Sequence, residues 1–250
     1  MSGVTRDAFL GGRLTILQPA RGYRAGVDPV LLASCVFGKP GESVLELGCG
    51  VGTALLCLAA RLPGLSLTGI ELQEDYAEFA RENAAQNRVA MRIETADLTA
   101  LPADLRNAQF DHVIMNPPYF TAGTGRGSRD PGRETARAGA TPLADWLGTG
   151  ARRLRPGGGL TLIQAIARLP DVMRMLPPIL GSVQVCPIAG REGRAPDRFL
   201  LRAKHGGRAA FRLHPTLILH QGAEHRDGRA GFTPGAEAIL REAAPLDIFE

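Results

Sequence analysis

The chain has almost no lysine. Only two of its 29 basic residues, Lys39 and Lys204, are lysine; the rest are arginine. Its four cysteines (Cys35, Cys49, Cys57 and Cys186) are scattered, with no C-x-x-C pair. That argues against structural zinc and a disulfide framework, and for a reducing, cytoplasmic setting. The five histidines (His112, His205, His214, His220 and His225) show no ligand spacing, so no metal is expected. His112 reads as packed under a strand, the other four as surface or loop residues. No apolar run approaches the roughly 20 residues of a membrane span. The start, "MSGVTRDAFLGG", lacks the cationic segment and apolar run of a secretory leader. No G-K-[ST] follows a glycine loop, which excludes a P-loop for polyphosphates.

What is present fits one large α/β domain. A chain of 250 residues buries enough surface to need no staples. Net charge is +4 and the pI about 9.2. Arginine suits bidentate phosphate contacts and stacking on bases, yet arginine, alanine and glycine richness also follows from a GC-rich genome. Residues 1–42 form a polar, glycine-broken lead, "GGRLTILQPARGYRAGVDP", then the helix-like "VLLASCVF", with Asp28 as N-cap and Pro29 as first helical position. From Ser43 strands and helices alternate. "SVLELG", "LSLTGIEL", "AMRIETAD", "FDHVIM" and "LTLIQAI" read as strands. "TALLCLAARL", "QEDYAEFARENAAQN", "LADWLGTGARRLR" and "LPDVMRMLPPIL" read as helices, the third stopped by "PGGG". "SVQVCPI" and "RFLLRAK" have no helix between them and read as an antiparallel edge hairpin. The prediction is a mostly parallel, seven-stranded sheet with helices on both faces. It spans 43–204, with the lead as a substrate-side cap and 205–250 as an extension packed on the same domain.

Ligands of such sheets bind beyond the carboxyl ends of the strands, and two motifs sit there. In "VLELGCGVGT", Gly48, Gly50 and Gly52 alternate as G-x-G-x-G, unlike the G-x-G-x-x-G of dinucleotide loops. Glu46 precedes the loop. Glu71 ends the next strand, where an acid can take both ribose hydroxyls. Asp97 follows the third strand, where it can receive an exocyclic amine. Glycines that admit backbone contact, plus three acids, suit a nucleoside with a cationic, amino-acid-like tail. S-adenosylmethionine matches that description. Residues 43–204 here resemble the class I SAM-dependent methyltransferases. The predicted cofactor set is Glu46, Gly48, Cys49, Gly50, Gly52, Glu71, Leu72, Asp97, Leu98 and Asn116, with Cys49 a small filler rather than a nucleophile. Trp146 reads as a helix packing residue.

The second motif is "NPPYF", residues 116–120. A residue before proline is pushed into extended backbone, and proline fixes the chain after it. Asn116 and Pro117 thus offer two rigid acceptors, a side-chain oxygen and a carbonyl, beside the aromatic faces of Tyr119 and Phe120. Two acceptors gripping both hydrogens of a conjugated amine free its lone pair for methylation. "NPPY" resembles the signature shared by adenine-N6, guanine-N2 and glutamine-N5 methyltransferases. By that resemblance Asn116, Pro117 and Tyr119 are catalytic, and Pro118 and Phe120 contact substrate.

The ends of the chain separate the targets. Release-factor glutamine methyltransferases carry a long helical domain before the glycine loop, where only about 45 residues stand here. Duplicated guanine-N2 enzymes need a second sheet. The lead "GGRLTILQPARGYRAGVDPVLLA" and the tail "REGRAPDRFLLRAKHGG … LILHQGAEHRDGRAGFTPGAEAIL" closely resemble bacterial tRNA(Val) (adenine-N6)-methyltransferases, except that Phe232 stands where that group more often has Tyr. The resemblance implies tRNA as partner and adenine N6 as acceptor. A release-factor-type glutamine methyltransferase and a non-catalytic RNA-binding protein on the same scaffold are the rival readings. Three arginine runs are either RNA contacts or solvated loops: Arg126, Arg129, Arg133 and Arg137 beside "NPPYF"; Arg152, Arg153 and Arg155; and Arg191, Arg194 and Arg198. The first is favoured as the RNA-binding run because it abuts the chemistry. The chain reads as a monomer or weak homodimer.

Overall fold

The computed structural model of the protein describes residues 3–119, 141–222 and 231–249. The lead folds as an antiparallel hairpin, β1 (Val4–Phe9) and β2 (Leu14–Pro19), followed by α1 (Asp28–Ser34). Then come β3 (Ser43–Leu47), α2 (Thr53–Arg61), β4 (Ser66–Glu71), α3 (Glu74–Gln86), β5 (Met91–Thr95), α4 (Ala103–Asn107) and β6 (Phe110–Met115). After the segment outside the described residues come α5 (Leu143–Arg153), β7 (Leu154–Ala165), α6 (Leu169–Met175), β8 (Leu180–Arg191) and β9 (Arg198–His205). β10 (Arg212–Leu213), β11 (Leu217–His220) and α7 (Pro234–Glu242) close the chain.

The large sheet runs β10-β8-β9-β7-β6-β3-β4-β5, with β11 also on β8. Its seven-stranded body is the expected one, parallel from β5 to β7, and β8 and β9 pair antiparallel. β9 inserts between β7 and β8, antiparallel to both, and β10 and β11 add two short parallel strands outside β8. The hairpin is therefore not the outer edge. The strand order switches sides between β3 and β6, which stay parallel, so a crevice opens beyond their carboxyl ends.

Side chains alternate along each strand, and the two sets feed two cores. Val44, Ile114, Ile163 and Leu200 join one with α1, α2 and α7; Leu45, Leu47, Val113 and Leu162 join the other with α5. α5 stops at Arg153, two residues short of the predicted end at Arg155, because Leu154 already begins β7. "PGGG" is no gap, however: it lies within β7, where pairing to β6 shifts register between Phe110 and His112. His112 is half-buried in β6, its Nε2 2.8 Å from Glu42 Oε2. Phe232 stacks on His220 with ring centroids 4.8 Å apart.

The lead is tied to the sheet domain by two asparagines one helical turn apart. On α3 and just past its end, Asn83 and Asn87 present their amides to the open edge of β2. Asn83 Oδ1 accepts from the Leu17 N–H at 2.7 Å, and its Nδ2 donates to the carbonyls of Leu17 and Val51, both at 3.0 Å. Asn87 Oδ1 accepts from the Thr15 N–H at 3.1 Å and its Nδ2 donates to the Thr15 carbonyl at 2.8 Å. The two side chains thus stand in for a neighbouring strand and satisfy backbone groups that would otherwise be lost. The Val51 contact joins the glycine loop to the same anchor. Asn83→Ala removes three buried bonds and is expected to cost about 2–4 kcal/mol; urea unfolding with an unshifted midpoint would contradict this.

Candidate active site

The glycine loop and the Asn-Pro-Pro-Tyr segment leave adjacent strands, since Leu47 of β3 pairs with Met115 of β6. Gly48, Gly50 and Gly52 have φ of 65°, 55° and 82°, the left-handed region that L side chains rarely adopt. Space imposes glycine too. A Cβ on Gly48 would collide with the Trp146 ring, and one on Gly52 would come 2.9 Å from Met91 Cε. At Gly50 the nearest atom is Tyr23 Cε1 at 3.6 Å, so this glycine faces the crevice. Trp146 does more than pack its helix, because it forms the floor beneath the first glycine.

Glu46 and Glu71 lie under this loop, both buried. Glu71 Oε2 accepts from the Gly50 N–H at 2.8 Å and Oε1 from the Gln73 N–H at 3.0 Å. Burial raises its pKa, against the pull of those N–H groups. Glu46 Oε2 is buried with no hydrogen-bond partner. Burial pushes the Glu46 carboxyl well above its ordinary range, and the Glu71 charge adds to the push. A buried carboxylate left short of donors fits a cationic ligand. Asp97 closes a turn, its Oδ1 accepting from the Thr99 N–H at 2.8 Å and hydroxyl at 2.7 Å. Leu72 is exposed, whereas the Leu98 side chain lies in the core and its carbonyl accepts from the Thr149 hydroxyl. Cys49 is buried, and burial raises its thiol pKa, as suits a filler.

Residues outside the predicted set hold the second motif. Tyr23, 43% exposed, stands between the two motifs: its Cε1 would lie 3.6 Å from a Cβ on Gly50, and its hydroxyl accepts from Asn116 Nδ2 at 3.4 Å. Tyr76 fixes Tyr23, its hydroxyl accepting from the Tyr23 N–H at 2.9 Å. Gln164, fully buried at the end of β7, donates from Nε2 to the carbonyls of Pro117 at 3.1 Å and Pro118 at 3.4 Å. The Ala165 N–H donates to Gln164 Oε1 at 2.8 Å, which fixes the orientation of that amide. Pro117 is buried and Pro118 exposed.

Tyr119 donates its hydroxyl to Asp28 Oδ2 at 2.7 Å, and Arg198 Nη1 donates to the other Asp28 oxygen. Burial and the Asp28 charge raise the Tyr119 phenol, so it stays protonated and donating. Asp28 is thus not the N-cap its sequence position suggests. Val27 occupies that position, and the Asp28 carboxylate takes stronger, charge-assisted bonds to a phenol and a guanidinium instead. "D-P" before an apolar run reads as a cap; nothing local reveals the distant partners.

The arginine runs separate in space. Arg152 and Arg153 bond to Thr149 Oγ1 and the Leu105 carbonyl, and Arg155 pairs with Asp111 at the amino end of β6, away from the crevice. The third run lies at the crevice end. There Arg191 is held by the Gln221 and Gly222 carbonyls, Arg198 by Asp28 and Asp197, and Arg194 is exposed. Phe120, Arg126, Arg129, Arg133, Arg137 and His225 lie outside the described residues. Among the described residues, no group of three or more His, Cys, Asp or Glu side chains could hold a metal, and no helix is long and apolar enough to cross a membrane.

These features fit S-adenosylmethionine: glycines that admit a ligand to the backbone, an anchored acid at the end of β4, and an unsatisfied buried carboxylate for positive charge. Known proteins agree. Residues 44–126 match the model of a methyltransferase domain. A tRNA1(Val) (adenine(37)-N6)-methyltransferase of Porphyromonas gingivalis is 32% identical over 231 residues, covering 86% of this chain and 88% of that one. Its Aeromonas hydrophila namesake is 31% identical, covering 73% and 77%. Among solved structures, a predicted O-methyltransferase, Atu636 of Agrobacterium tumefaciens, superposes with a TM-score of 0.69 at 28% identity, covering 87% of this chain and 97% of that one. The 16S rRNA N2 G1207 methyltransferase of Thermus thermophilus, in complex with AdoMet and guanosine, shares the fold at a TM-score of 0.57 and 22% identity, covering 81% and 50%. The chain belongs to the family of the tRNA1(Val) (adenine(37)-N6)-methyltransferases and is a SAM-dependent N-methyltransferase of the class I fold.

Proposed function

We propose that the protein methylates N6 of an adenine in tRNA, with adenine 37 of tRNA1(Val), the base in its relatives' names, as the target. The observation that carries this reading is the place of one tyrosine: Tyr23 stands where a side chain on Gly50 would meet its ring, and its hydroxyl bonds to the Asn116 amide. Donor and acceptor sites therefore share one crevice. Bound S-adenosylmethionine supplies a methyl group activated on a sulfonium. Glu71 takes the ribose hydroxyls, Asp97 offers Oδ2 to the exocyclic amine, and Glu46 faces the cationic tail, beside Gly48, Cys49, Gly50 and Gly52.

Asn116 Oδ1 and the Pro117 carbonyl each accept one hydrogen of the adenine N6 amine. Pro117 already accepts from Gln164 with one lone pair and has a second free. Gripped at both hydrogens, the nitrogen pyramidalises and its lone pair points at the methyl. Tyr119 stacks on the flipped base, an interaction worth about 1–3 kcal/mol. The nitrogen becomes strongly acidic as the new bond forms, so its proton leaves to water without a dedicated base. Residues 1–42 act as the substrate-side cap, through Tyr23 and Asp28. Pro118 and Phe120 extend the base platform, and Arg126, Arg129, Arg133 and Arg137 supply phosphate contacts.

The direct test incubates the enzyme with labelled SAM and tRNA from a strain lacking the gene, then identifies the modified nucleoside. N6-methyladenosine is expected. Label appearing only in protein glutamine, or in another nucleoside, refutes the reading. Asn116→Ala is expected to lower kcat by at least about 100-fold while SAM affinity stays within a few fold, since the glycine loop and the acids carry most of the cofactor contact and Asn116 chiefly grips the substrate amine; a folded variant that no longer binds SAM contradicts this division. Glu46 supplies a pH test. Its raised pKa means the free protein holds that proton above the usual carboxylate range, and a cation beside it lowers the pKa again. SAM binding is therefore expected to release protons and to weaken as pH falls through that range, a response lost in Glu46→Gln. Calorimetry in buffers of different ionisation enthalpy measures it; binding without proton release contradicts it.

A further inference from the structure

We propose that Asp28 is a positioning residue for methyl transfer: through the Tyr119 hydroxyl it sets the plane of the ring on which the target base stacks, and Arg198 holds it in place. The inference rests on the stacking role given to Tyr119 above. Asp28 divides its two oxygens, one to Tyr119 at 2.7 Å and the other to Arg198. Three segments distant in sequence thus meet at one carboxylate: the start of α1, the Asn-Pro-Pro-Tyr segment beyond β6 and the start of β9. The Arg198 and Asp28 side chains are 18% and 20% exposed, so water competes weakly for either bond. Arg198 Nε also donates to Asp197 Oδ1 at 3.2 Å. A guanidinium clamped by two carboxylates keeps Asp28 from following the ring if Tyr119 swings.

The consequence is geometric. A tyrosine side chain turns about two torsions, and the second is broad. Pinning its oxygen fixes the first. The phenolic hydrogen prefers the ring plane, so a fixed acceptor also selects the second. A free phenyl ring offers the same stacking area with neither restraint. In-line transfer rewards a pre-set ring plane, because every degree of base tilt moves N6 relative to the methyl. On this view the lead supplies part of the catalytic geometry as well as a cover.

A double-mutant cycle on Asp28→Ala and Tyr119→Phe tests this. The readouts are turnover on tRNA at saturating SAM, SAM affinity, and the fluorescence of an adenine analogue, aminopurine, placed at position 37 of an anticodon stem-loop. Each single variant is expected to lower kcat about tenfold and to lose analogue quenching, with SAM affinity unchanged. The double variant is expected to be no worse than the poorer single, because both remove the same restraint. Asp28→Asn, which keeps an acceptor of the same shape, recovers part of the rate. Losses that multiply, or wild-type kcat and quenching in Asp28→Ala, overturn the proposal. If Asp28→Ala does not fold, the cycle is run with Asp28→Asn: a defect that vanishes in the Tyr119→Phe background supports the proposal, and one that persists overturns it. Should the wild-type enzyme leave tRNA adenine unmethylated, the underlying functional reading fails instead.

Discussion

The parallel pairing of β3 with β6 is the constraint on which the rest depends. It sets Leu47 beside Met115, so the glycine turn and the Asn-Pro-Pro-Tyr segment leave the sheet side by side. Neither motif does much alone. Glycines at positive φ make a tight turn, and prolines make a stiff one. Their shared exit from neighbouring strands converts two stiff turns into two walls of one crevice. The prolines then matter for their rigidity: an acceptor pair that cannot rotate away costs no reorganisation when a substrate amine arrives.

Around these walls the protein spends polar groups rather than apolar area. Gln164 is completely buried, yet its amide is matched at both ends, to Ala165 on one side and to Pro117 and Pro118 on the other. Asn83 and Asn87 do the same for β2. Glu46 differs, with one oxygen buried and unmatched, as are Thr53 Oγ1 and Trp146 Nε1 beside the glycine loop. Burial makes ionisation of this acid costly, and on the function proposed above a cationic cofactor beside it would offset that cost.

Much of this was legible in the sequence, for local reasons. β6 is the run "FDHVIM" itself, bounded by a polar loop and by prolines that cannot extend a strand. The glycine loop and the acids at 46, 71 and 97 stand at successive strand ends, because strand–helix alternation fixes where those ends fall. What escaped reading depends on distant contacts. The lead looked irregular because its outer edge is completed by asparagine side chains from α3, which no period-2 pattern reveals. Asp28 read as a cap because its true partners lie 91 and 170 positions away. Gln164 interrupts the apolar run "LTLIQAI", with nothing to mark it as the support of Pro117. Arg155 read equally as an RNA contact or a solvated loop residue, and it is neither: it pairs with Asp111 at the far end of the sheet.

The central claim is that one rigid pair of oxygens grips the nitrogen that receives the methyl group. A structure of the enzyme with S-adenosylhomocysteine and an anticodon stem-loop tests it most directly. The account predicts adenine N6 within hydrogen-bond reach, about 3 Å, of both Asn116 Oδ1 and the Pro117 carbonyl, with the base against Tyr119. A base stacked elsewhere, or an N6 bonded to neither oxygen, would contradict it.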